Sequence, residues 1–122
     1  MKQLLPVAFT LALSTTTLAE MPKEVYNTID TLLQTSSRMK TKKQISSLAD
    51  KLGDKDGKAT DKEMVYALDF LVSEDSQKYI SNKLFGETKT IDELSIKEQL
   101  KIKLKYPQIV YITKLRKRYL NR

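Results

Sequence analysis

Between residues 23 and 120 apolar side chains recur mostly at spacings of three and four, the interval of one helical face, and the glycines and Pro107 fall between these stretches. After Pro22, a residue tolerated at a first helical turn, Val25, Ile29, Leu32 and Leu33 share a stripe. Ser36 and Ser37 interrupt the pattern. Thr41 and Gln44 then have the spacing of a capping box, in which two side chains satisfy free backbone donors at a helix start, ahead of Ile45, Leu48, Ala49 and Leu52. Gly53 is expected to close that helix in the left-handed conformation. A second box, Thr60 with Glu63, opens the most apolar segment, with Met64, Val65, Ala67, Leu68, Leu71 and Val72. Ser73, followed by Glu74 and Asp75, predicts a further helix burying Tyr79, Ile80, Leu84 and Phe85, unless it continues the one before. Gly86 ends it.

In the last third two periods compete. Thr90 with Glu93 and Ser95 with Glu98 signal helix starts, yet residues 100–106 alternate apolar and basic as a strand does. A helix aligns Ile96, Leu100 and Leu104 and leaves Ile102 off the stripe; a hairpin pairs Leu100, Ile102, Leu104 and Tyr106 with residues 109–113. The capping signals and the Glu93–Lys97 spacing favour the helix. Pro107 then opens a final helix with Ile109, Ile112, Leu115 and Tyr119 inward. The expected fold is all-α, a compact bundle of five or six short helices, with the third segment central and the final basic helix packed across it.

The first residues have a different pattern. Lys2 precedes an apolar run over 4–13, a Ser/Thr tract and Leu18-Ala19, the order of a secretory signal peptide spanning residues 1–19. The run is about half the roughly twenty residues a membrane span needs. Cleavage after Ala19 leaves one helical domain, residues 20–122, destined for the periplasm or secretion.

Composition narrows what that domain can do. Removing Lys2 leaves 21 Lys and Arg against 15 Asp and Glu, a net charge of about +6. With no Cys there is no disulfide framework and no thiolate metal site. With no His, triads, His–Cys dyads and ordinary zinc chemistry lose their proton carrier or ligand. A carboxylate pair remains conceivable but needs a cleft holding two acids in contrasting environments.

One local string carries a metal-binding pattern. With Gly57 at the sixth position of a twelve-residue loop, Asp54 falls at three, Asp56 at five, the Lys58 carbonyl at seven, Thr60 at nine and Glu63 at twelve. Residues 52–63 resemble an EF-hand calcium loop, in which oxygens at these positions surround the ion and glycine permits the sharp turn. Leu52 stands at position one, where an acid is expected, and no second loop of this kind occurs. The same residues suffice for a polar turn between two helices.

Positive charge is concentrated toward residue 122. Lys114, Lys117 and Arg118 lie opposite the inward stripe of the last helix, and Lys97, Lys101, Lys103 and Lys105 precede them. Such a surface suits an acidic protein, anionic lipid or cell-wall acids; nucleic acid has the least support, because no recognised binding motif is present. Cations near a helix end also complement its dipole without any partner. Tyr66 and Tyr111 fall off their main stripes and are expected at the surface, as is Asp69, beside Lys62 and Tyr66.

These readings point to a non-enzymatic exported protein that acts by binding another protein with an acidic surface, and to no cofactor. A weak Ca2+ module on Asp54, Asp56, Lys58, Thr60 and Glu63 is the first alternative. A small cell-wall-active enzyme using carboxylates is the second.

Overall fold

Hydroxyl caps and two turn glycines set the helix boundaries in the computed structural model, which describes residues 21–35 and 37–122. Six α-helices follow in order: α1 Lys23–Leu32, α2 Arg38–Leu52, α3 Asp61–Leu71, α4 Glu74–Phe85, α5 Ile96–Lys105 and α6 Pro107–Leu120, with a 3-10 turn at Ile91–Glu93 before α5. No strand occurs among the described residues, so residues 99–113 form helices and no hairpin. The signal-peptide segment, residues 1–19, lies outside the described residues.

Three starts follow their sequence signals. Thr60 Oγ1 accepts the Glu63 N–H at 3.1 Å while Glu63 Oε1 accepts the Thr60 N–H at 2.9 Å. Ser95 and Glu98 repeat that reciprocal pair at α5. Ser73 accepts the Ser76 N–H, which separates α4 from α3. Gly86, at φ 72°, ends α4 in the left-handed conformation.

Two expectations fail. Ser37, not Thr41, caps α2, its Oγ accepting the Lys40 N–H at 3.3 Å. Thr41 is fully buried and its hydroxyl donates to the Ser37 carbonyl at 2.9 Å. Standing four residues before Ile45, it shares the inward stripe, so an earlier start at Ser37 buries its methyl group. Gly53 is not left-handed either, with φ −93° and ψ −135°. Its requirement is spatial: a Cβ there would overlap the Glu63 carboxylate and reach 3.0 Å from its Cγ.

Gly53→Ala therefore forces Glu63 away from the two backbone N–H groups it serves, those of Thr60 and Asp54. We expect a melting-temperature loss of roughly 5 °C at neutral pH, read by circular dichroism. In a Glu63→Ala background the same substitution should add almost nothing. The Thr60 N–H, then the Asp54 N–H, hold the Glu63 carboxyl below its ordinary 4.5. A carboxyl depressed in the folded state stabilises fully above 4.5 and loses that contribution as pH falls through its lowered value. Gly53→Ala should accordingly flatten the acid limb of the melting curve.

The core is one cluster in which α3 contributes Met64, Ala67, Leu68 and Leu71. As expected, α3 is central, packing most extensively on α2 and α6. α1 supplies Val25, Ile29 and Leu32 and contacts α2, α3 and α4. It is fastened to α4 by Tyr79, whose hydroxyl donates to Asp30 at 2.8 Å and whose ring meets Tyr26 edge-on at 4.7 Å. α5 packs on α6 alone to any extent, a single residue, Tyr106, ending one helix and preceding the other.

Candidate functional site

That single lateral contact decides which side of α5 is left outside. A helix docked on one neighbour buries one arc, and Ile102 fills it at 3% exposure, alongside half-buried Gln99. Ile102 lies about 160° around the helix axis from Leu100. The stripe expected to be buried is thus turned to solvent, with Ile96 79%, Leu100 51% and Leu104 76% exposed. The inversion has a simple origin: α5 carries two apolar arcs, and only its reversal onto α6 at Tyr106 selects between them.

The three side chains form a ridge about 12 Å long. Leu100 separates two troughs. One, of about 460 Å³, runs between α5 and α6 over Ile91, Ile109, Val110 and Thr113. The other, of about 420 Å³, lies on the opposite side against Phe85 and beneath Leu104. Lys97, Lys101 and Lys105 edge the second trough and Lys103 the first. The Lys101 ammonium stands 5.7 Å from the Phe85 ring centre. The one acid of α5, Glu98, accepts from the Ser95 N–H and hydroxyl, each at 3.1 Å.

Lys114, Lys117 and Arg118 are exposed on α6, and among the described residues none forms an ion pair. Their neighbours differ. Arg116 Nε binds Asp69 Oδ1 at 2.7 Å, and Arg122 binds Asp61 at 2.8 Å, two bonds that lay α6 along α3. Asp69 is on the outer face as expected. Tyr66 is exposed, its ring edge-on to Phe70 at 5.1 Å. Tyr111, expected at the surface, is only 8% exposed, with the Arg38 guanidinium 5.6 Å from its ring centre. The reason is that α6 touches α2 as well as α3, so its inward arc is wider than one stripe.

The loop between α2 and α3 brings a different set together. One carboxylate oxygen from each of Asp50, Asp54 and Asp56 lies within 4.8 Å of the others. Asp50, two residues before the start of the calcium-loop pattern, was not among the expected ligands; only its place one turn before Gly53 marks it. Each carboxylate also serves the turn. Asp50 accepts the Gly57 N–H, Asp54 that of Asp56, and Asp56 that of Lys58. Lys55 and Gly57 take positive φ, 59° and 86°, so that the chain can fold back. Local desolvation, then the nearby Asp56 and Glu63, raises the Asp54 carboxyl above its ordinary value. Glu63 stands outside the trio, with Oε1 on the Thr60 N–H and Oε2 on the Asp54 N–H. Lys58 and Thr60 are exposed, and the Thr60 hydroxyl is engaged as a cap.

No helix among the described residues is long and apolar enough to cross a membrane. Comparison with protein-family models, with curated proteins and with solved structures finds no match to this chain.

Proposed function

We propose that this chain is a small exported protein, periplasmic or secreted, that works without catalysis by binding another protein. An inhibitor, an immunity factor or an accessory of a secretion or conjugation apparatus would each act this way. The observation that carries the reading is the ridge of Ile96, Leu100 and Leu104, a line of aliphatic side chains held out to solvent on an ordered helix. Contiguous exposed apolar surface rimmed by charge marks interaction sites. The lack of His and Cys and the net charge, +7 for the full chain and about +6 after the proposed cleavage removes Lys2, agree with a binding protein that meets an acidic partner.

The test is co-purification of the mature chain from the envelope of cells that produce it. A stable stoichiometric protein partner is the expected result; recovery of lipid or glycan alone would overturn the reading. The approach of Asp50, Asp54 and Asp56 favours one other reading, a weak calcium-responsive module. A calcium-dependent rise in melting temperature on titration to several millimolar would support it, on the order of the affinity of extracellular calcium modules.

A further inference from the structure

We infer that the ridge and troughs of α5 are the docking site for an acidic amphipathic helix of the partner protein. The inference rests on the protein-binding reading and names the partner's chemistry. Ile96, Leu100 and Leu104 repeat every four residues, the period at which a second helix presents side chains. The apolar atoms line hollows on both sides of Leu100, one floored by Ile109 and Val110 and the other walled by Phe85. Hollows of that kind receive protruding side chains at three- and four-residue spacing.

The rim fixes the partner's charge. Lys97, Lys101, Lys103 and Lys105 form no ion pair among the described residues, and the one acid of α5, Glu98, accepts from Ser95 and is paired with the Glu87 carboxyl. A second copy of this chain would bring the same four cations face to face, which argues against self-association through this face. A helix with an aliphatic stripe flanked by Asp and Glu would fill the troughs and neutralise the rim.

The test places the photo-crosslinking residue p-benzoylphenylalanine at position 100 of the full chain in cells that produce it, and maps the captured segment by mass spectrometry. A synthetic peptide of that segment is then titrated against wild type, Leu100→Asp, the triple variant Lys97→Glu/Lys101→Glu/Lys103→Glu, and Met39→Asp, an exposed site on α2. The captured segment should be net acidic with apolar residues three or four apart. Leu100→Asp should weaken binding at least thirtyfold. The triple variant, which keeps the ridge, should lose about tenfold and most of the salt dependence, while Met39→Asp binds as wild type.

Capture of lipid, of another copy of this chain, or of a neutral or basic segment would overturn the inference. So would retained affinity in either ridge or rim variant. If a partner co-purifies equally with wild type and with Leu100→Asp, the protein-binding reading stands and this site assignment falls. If wild type brings down no protein at all, the functional reading itself falls.

Discussion

Truncating Leu68 to alanine lowers the unfolding free energy by about 3 kcal/mol and the melting temperature by roughly 15 °C. Leu68 has no exposed surface and sits on α3, the helix against which α2 and α6 both pack, so the vacated volume cannot be filled by one neighbour's shift. A domain of this size has a total stability of only about 5–15 kcal/mol, so the loss is a large share. Leu120→Ala, at a half-exposed site on α6, should stay within about 0.5 kcal/mol. Chemical denaturation with urea measures both. A Leu68→Ala loss under about 1 kcal/mol would contradict the central position of α3.

Gln108→Ala should cost about 2 kcal/mol, although the residue is polar and stands in the first turn of a surface helix. Its side chain is buried, and Nε2 donates to the Leu32 carbonyl at 2.8 Å, joining the start of α6 to the end of α1. Without it, the bond that carbonyl keeps among the described residues is a long one, 3.3 Å from the Thr35 N–H. The other end of the amide weakens the case for glutamine: Oε1 has no hydrogen-bond partner among the described residues. Methionine fills similar space and removes both the satisfied donor and the unsatisfied acceptor, so Gln108→Met should lose about 1 kcal/mol less than Gln108→Ala. Equal losses in the two variants would show that the bond to Leu32, not volume, dominates.

Fold class and helix number were legible because caps and apolar spacing agree along most of the chain. Thr60 with Glu63, Ser73, Gly86 and Ser95 with Glu98 are local devices whose partners lie within four residues, so sequence alone suffices to find them. What escaped is what depends on a third element. Ile102 and the Ile96–Leu100–Leu104 stripe are equally apolar, and only the packing of α5 on α6 turns one in and the other out. Tyr111 is buried because α2 approaches α6, and Gln108 because α1 does. Gly53 does end a helix, but what excludes a side chain there is the carboxylate of Glu63, ten residues on, and not any need for a left-handed backbone. Of the candidate site, the basic residues Lys114, Lys117 and Arg118 were readable as an exposed face, while the ridge was visible only as a helix with one apolar arc too many.

The bond between Gln108 and Leu32 spans 76 positions, and two further side-chain bonds at and just before α1 are also distant, with Tyr79 reaching Asp30 across 49 and Ser76 reaching Met21 across 55. Helix α1 can therefore pack on its sequence neighbour α2 as soon as both are made, while its side-chain bonds to α4 and α6 wait until most of the chain has been synthesised. The latest of these bonds closes the bundle by joining its first described helix to its last.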